Sequence, residues 1–195
     1  MKEGALMSKF ELFKKVIVGK FNNLEQVEKE KSEGKIVHPI AKHINKICND
    51  KIENLPKDFK GIFVIEESYY TFVDTNRTNV LPHLFLFEET KEGKVKLISY
   101  EVPKSINKKD FTNSNENLKM DYNELEVSEK FNPMTYEYKE GVGFYGRSLS
   151  QFEPDTTFLL DETLSENRFE VNEILKKGDK VLVGFDSPIV YIREV

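Results

Sequence analysis

Apolar residues follow two different periods along the chain, and the period changes near Pro56. From Ser8 to Val18, Phe10, Phe13 and Ile17 recur at helical spacing with Lys14 and Lys15 on the other side, which predicts an α-helix. Ser8 with Glu11 three residues later has the form of a capping box, and Gly19 suits the end of that helix. Asn23 can cap a second, charged and mostly exposed helix through Leu24 and Val27 to Gly34. From Pro39 to Ile52, Ile40, Ile44, Ile47 and Cys48 match i, i+4, i+7, i+8 and predict a third helix, although Ile36, Ile40 and Ile44 could also line a strand.

After Pro56, short runs of Phe, Tyr, Val and Ile between turn residues recur roughly every 8 to 15 positions, the pattern of an all-β sandwich or barrel. About ten strands are expected. They are Gly61 to Phe72, His83 to Glu88, Val95 to Val102, a weak one at Glu124 to Val127, Met134 to Lys139, Val142 to Arg147, Thr157 to Asp161, Arg168 to Glu173, Val181 to Phe185 and Ile189 to Arg193. Short links at Lys91-Glu92-Gly93, Glu140-Gly141 and Asp186-Ser187-Pro188 favour antiparallel neighbours. The polar stretch Pro103 to Asn117 reads as a surface loop or short helix.

Gly61 to Tyr70 is partly apolar on both faces, so this strand must be covered outside as well as inside. That suits a closed antiparallel barrel, which also removes exposed sheet edges. The expected architecture is mainly β: one domain spanning 1–195, with a helical part at 1–55 packed on a barrel formed by 56–195.

Composition narrows the class. With 38% hydrophobic and 32% charged residues, 15 Phe and 8 Tyr, the chain can fill a core. No apolar run approaches the length of about 20 residues needed to cross a bilayer. Met1 to Lys20 has no secretory-signal pattern, and Cys48 is the only cysteine, so a cytoplasmic, reducing address is expected. The net charge of -5 disfavours nucleic acid as a partner.

Candidate chemistry is sparse. His38, His43 and His83 lack metal-site spacing, so no metal is expected. Gly141 to Gly146 spells G-x-G-x-x-G, but between two β runs it reads as a tight turn rather than a phosphate loop. In Ile65-Glu66-Glu67-Ser68-Tyr69-Tyr70, two adjacent carboxylates on a strand place one on each face, so one points into the barrel. It would need a partner there, for which Arg77, Arg147 and Tyr145 are the candidates.

Three short motifs carry a family resemblance. Gly19-Lys20-Phe21-Asn22-Asn23-Leu24-Glu25-Gln26 resembles the opening G-x-F-x-N-x-x-Q of the CpcT/CpeT phycobiliprotein chromophore lyases. Ile65-Glu66-Glu67-Ser68-Tyr69 is similar to their L-E-Q-A-Y motif, and Gly184 to Arg193 to their closing strand. The P-Y-R-x-R stretch of the family is represented by Asp74-Thr75-Asn76-Arg77-Thr78, with a single arginine. The resemblance implies a ten-stranded calycin-like barrel, often a homodimer, whose cavity holds a linear tetrapyrrole. It also implies that Glu66 and Tyr69 handle the chromophore and that Gly19, Phe21, Asn23 and Gln26 shape the approach from helix to barrel.

Three functions fit these residues. The first is a barrel binding a small, largely apolar ligand, tetrapyrrole-like by the family resemblance, with Arg77 or Arg147 anchoring an acidic group. The second is an enzyme using Glu66 or Glu67 with Tyr69 as acid and base; no motif requires a reaction, and a chromophore-attaching lyase is what the resemblance would imply. The third is a protein-interaction or structural module whose barrel is packed solid. Cavity volume and the direction of Glu66, Glu67 and Tyr69 separate them.

Overall fold

The computed structural model describes residues 7–72 and 77–194. Asp74, Thr75 and Asn76 of the arginine-bearing motif, with residues 1–6 and 195, lie outside the described residues.

Helix α1 (Lys9–Ile17) forms where the period predicts it. The Ser8 hydroxyl accepts from the Glu11 amide at 3.1 Å, capping the first turn. Strand β1 (Gly19–Asn22) follows directly, then α2 (Leu24–Ser32). Asn23, expected as the cap of α2, turns its side chain away from the helix. It is buried, accepts from the Ala41 amide at 2.7 Å and donates to the Pro39 carbonyl at 2.9 Å.

The third helix does not form. Ile40–Ile47 is strand β2, paired with β1 on one side and β4 on the other, and only Asn49–Lys51 makes a short 3-10 turn. The inward positions of β2 are Ala41, His43 and Asn45, all buried, while Ile40 and Ile47 are exposed. The isoleucines were spaced for either element, and two neighbouring strands supply backbone partners that a helix would not use. The N-terminal part is therefore not wholly helical, since it contributes two barrel strands.

The remaining strands are β3 (Ile52–Glu53), β4 (Ile62–Phe72), β5 (Arg77–Glu89), β6 (Val95–Tyr100), β7 (Met120–Asp121), β8 (Met134–Lys139), β9 (Gly143–Glu153), β10 (Thr156–Leu164), β11 (Arg168–Lys177), β12 (Lys180–Val183) and β13 (Ile189–Arg193). Antiparallel pairing runs β1-β2-β4-β5-β6-β8-β9-β10-β11-β13 and returns to β1, which closes a ten-stranded barrel. Strand β12 pairs only with β11, outside the ring, and β3 and β7 form a separate parallel pair. Ten strands were expected, but the membership differs. Val127 contributes only an isolated bridge to Tyr100, and 181–185 hangs off the ring, while β1 and β2 take the two places.

One end of the barrel is plugged. Phe10, Phe13, Val16 and Ile17 of α1 join a buried cluster with Ile62, Val64, Phe87, Tyr136, Phe144 and Leu164. The Phe13 ring lies 5.0 Å from Phe87, 5.0 Å from Tyr136 and 5.1 Å from Phe144. Arg193 finishes this end by donating to the Val18 and Val16 carbonyls, both at 2.6 Å, which meets acceptors left open at the C-terminus of α1. Outside the barrel, Phe63, Ile65, Leu84 and Leu86 meet Phe111, Leu118 and Met120, so the 101–119 connection is a packed cover. That cover explains the two apolar faces of β4. No helix of the described residues is long and apolar enough to cross a membrane.

Candidate functional site

Above the plug the barrel interior turns polar and then opens. Alternation along β4 sends Ile62, Val64, Glu66, Ser68 and Tyr70 inward. His83 is directly opposite Glu66 on β5, and Glu162 on β10 is opposite Val171 on β11. On β10 and β11 the inward sets Leu160-Glu162-Leu164 and Phe169-Val171-Glu173-Leu175 each carry one carboxylate on an apolar face.

Glu66, Glu162 and Glu173 line one cavity of about 220 Å³, whose walls include Phe85, Phe131, Phe152, Phe158 and Leu160. A second compartment of about 500 Å³ joins it at Tyr70, Leu81, Glu173 and Val183 and runs towards Phe72, Leu182 and Phe185 at the unplugged end. No lysine or arginine of the described residues lines either compartment.

Each carboxylate has a different partner. Glu66 Oε2 is 3.7 Å from His43 Nδ1, and the Tyr136 hydroxyl donates to Glu162. The Tyr70 hydroxyl donates to Glu173 at 3.3 Å. Burial pushes the Glu66 carboxyl up, but the pull of His43, His83 and Ser68 together outweighs it and holds the group below the usual carboxylate range. Burial, then the charge of Glu66, drives Glu162 well above that range against the Tyr136 hydrogen bond. Glu173 is also raised, first by burial and further by Glu66, although His83 and His43 oppose the shift. The three carboxyl groups that share the cavity are therefore pushed apart, Glu66 downward and Glu162 and Glu173 upward.

The polar layer is also incompletely paired. Neither ring nitrogen of His43 nor the Tyr191 hydroxyl has a hydrogen-bond partner among the described residues, and both side chains are buried. Their rings pack 4.3 Å apart between centroids.

Of the six residues singled out from the sequence, only Glu66 lines the cavity. Glu67 and Tyr69 face outward together, with the Tyr69 hydroxyl donating to Glu67 at 3.3 Å and Thr112 to the same carboxylate at 2.6 Å. No register shift interrupts β4 against β2 or β5, so Glu66 and Tyr69 stay on opposite sides of the wall and cannot act as one acid-base pair. Arg77 opens β5 opposite Phe72, exposed at the rim. Arg147 and Tyr145 lie on the outer face of β9, both directed to Asp161, at 3.5 Å and 3.1 Å. None of these three is the inward partner of Glu66; that place belongs to His43.

Sequence reasoning missed Glu162, Glu173, Tyr70 and Tyr136. A signal was present: a single Glu on the apolar face of an otherwise alternating strand, in Leu160-x-Glu162-x-Leu164 and Val171-x-Glu173-x-Leu175.

The motif residues at the N-terminal joint do meet. A Cβ on Gly19, whose φ is +150°, would collide with Arg193 Nη1, and the Phe21 ring lies beneath that guanidinium, its centroid 4.5 Å from Arg193 Cζ. Gln26 donates to the Pro188 carbonyl at 3.0 Å and accepts from the Val190 amide at 2.9 Å, tying α2 to β13. Gly141 and Gly143, at φ +75° and +112°, form the β8–β9 turn. Neither a protein-family model nor a curated protein matches the chain.

Proposed function

We propose that this barrel binds a small, largely apolar molecule in its upper half. The observation that carries the reading is the two-part cavity, aromatic and aliphatic along its walls and polar at its base, above a solid aromatic plug. The larger compartment falls in the range of about 300–1,000 Å³ common for small-molecule sites. A packed-solid interaction module would need that space filled.

A distant kinship with the CpcT/CpeT chromophore lyases is supported by ten-stranded closure and by Gly19, Phe21 and Gln26 holding the helix-to-barrel joint. The arginine anchoring of tetrapyrrole propionates implied by that resemblance has no counterpart on the cavity wall, where the ionisable groups among the described residues are three carboxyl groups, His83 and Tyr70. The residues present do not fit such a chromophore held in that way, and the reading therefore rests on a ligand without buried acidic groups. Cys48 is buried, and burial, then the charge of Asp50, pushes its thiol up to about 12; an unpaired thiol of this kind suits the reducing cytoplasm.

The test is fluorescence of the neutral probe Nile red with the intact chain and with Leu175→Trp, which narrows the cavity from its wall. The expected result is a blue-shifted, saturable signal that the variant loses while its unfolding midpoint stays within a few degrees. No saturable signal from the intact chain, with linear tetrapyrroles also giving neither absorbance change nor thermal stabilisation, overturns the reading.

A further inference from the structure

Resting on the binding reading, we infer that the ligand of this cavity carries a protonated amine, seated among Glu66, Glu162 and Glu173, with its apolar body along the Phe85, Phe152 and Phe158 walls.

Three acceptor side chains from three different strands face one cavity, whose wall carries one histidine, His83, and no lysine or arginine of the described residues. Each carboxyl already accepts one hydroxyl, from Ser68, Tyr136 or Tyr70, and each keeps further lone pairs for a donor in the cavity. An ammonium group brings three N–H donors and no acceptor, which matches a site rich in acceptors. Two of the protein-side donors are committed: the Tyr136 and Tyr70 hydroxyls already give their protons to Glu162 and Glu173, while His83 and Ser99 also line the space. A carboxylate ligand would meet like charge at Glu66. An alcohol could hydrogen-bond but would leave the repulsion between the carboxyl groups in place.

The second observation is the set of orphaned polar atoms behind Glu66. His43 is 2% exposed, neither ring nitrogen makes a hydrogen bond, and its Nδ1 lies 3.7 Å from Glu66 Oε2. A buried imidazole without a hydrogen bond is costly, and Glu66, which faces both His43 and the cavity, is the group through which a donor in the cavity would act on it. A bare metal ion fits less well, because no cluster of His, Cys, Asp and Glu among the described residues has metal-binding geometry and the walls above are apolar.

The inference fixes a proton balance. The amine enters as R–NH₃⁺, and its charge opposes the burial that raises Glu162 and Glu173, so any proton held by the carboxyl group it reaches passes to solvent and an ammonium–carboxylate pair remains. No covalent bond forms or breaks. The groups that face this exchange are His43 on β2, Glu66 and Tyr70 on β4, His83 on β5, Tyr136 on β8, Glu162 on β10, Glu173 on β11 and Tyr191 on β13.

The experiment is calorimetric titration of the intact chain with n-octylamine, n-octanol and n-octanoate, three probes with one apolar body and different heads, in two buffers of unlike ionisation enthalpy. Octylamine is expected to bind about tenfold or more tightly than either other probe, as a charged hydrogen bond in a buried site implies. Its heat should also differ between buffers, reporting proton release. In Glu173→Gln and separately in Glu162→Gln, the ratio of amine to alcohol affinity should fall towards one; two variants guard against one of them failing to fold. Equal affinity for the three probes, or an unchanged ratio in both folded variants, overturns the amine inference while the apolar-ligand reading stands. If Nile red and all three probes fail to bind, both fall.

Discussion

His43 Nδ1 stands 3.7 Å from Glu66 Oε2, diagonally across the paired strands β2 and β4, and both side chains are buried. Removing one member of a buried pair leaves the other uncompensated. Glu66→Gln should lower stability by about 2–3 kcal/mol at pH 7, measured as a shift of the urea midpoint at constant slope. The sign with pH follows from the depressed folded-state value: the contribution of Glu66 is full above its unfolded value of about 4.3 and disappears as pH falls through the folded value. The deficit of the variant should therefore shrink in acid. A deficit that is the same at pH 7 and pH 3.5 would contradict the pairing.

Glu162, on the same inner wall, should behave in the opposite sense. Its folded-state carboxyl is raised by burial and by Glu66, so its favourable contribution is complete below about pH 4.3 and is lost as pH rises. Glu162→Gln keeps an oxygen to accept from Tyr136 and removes the cost of ionising a buried acid. The variant should gain about 1–3 kcal/mol over the parent at pH 8 and nothing at pH 4. Equal stability of the two proteins across that range would show that Glu162 ionises freely in the barrel.

These two carboxylates also mark where the sequence was legible and where it was not. Helix α1 could be read because Phe10, Phe13 and Ile17 share one stripe and Ser8 caps it, so local and tertiary preferences agree. Strand β2 could not, because its buried residues include His43 and Asn45 while Ile40 and Ile47 are exposed. Hydrophobic periodicity assumes an apolar core, and here the core is polar on the site-facing side. Glu66 was found because a doublet of acids on a strand must place one inward. Its neighbours in space come from β2, β5, β10 and β11, and spacing within any single strand does not say which strands close the ring.

The plug tests whether the lower barrel is as solid as its packing suggests. Phe13 is fully buried against Phe87, Tyr136 and Phe144. Phe13→Ala should cost about 3–5 kcal/mol by lost burial and the space left behind. A loss under about 1 kcal/mol in denaturant titration would mean that α1 is not part of the cooperative core.

Gly146 links the plug to the site. It sits opposite Tyr136 on the β8–β9 pair, where an added Cβ would lie 2.9 Å from Tyr136 Cδ1, 3.1 Å from Met134 Sδ and 3.2 Å from Met134 Cγ. Its φ is not in the left-handed region, so Gly146→Ala meets a steric obstacle and no backbone one. The methyl should press on the ring whose hydroxyl donates to Glu162 and cost about 1–3 kcal/mol, as overpacking does. If the cost runs through that hydrogen bond, the alanine should do less harm in the Glu162→Gln background than in the parent, a coupling of more than about 0.5 kcal/mol in the double-mutant cycle. Strict additivity would place the whole cost in contacts with Met134 and leave the Tyr136–Glu162 geometry untouched. The glycine motif would then serve this fold only as a turn, at Gly141 and Gly143.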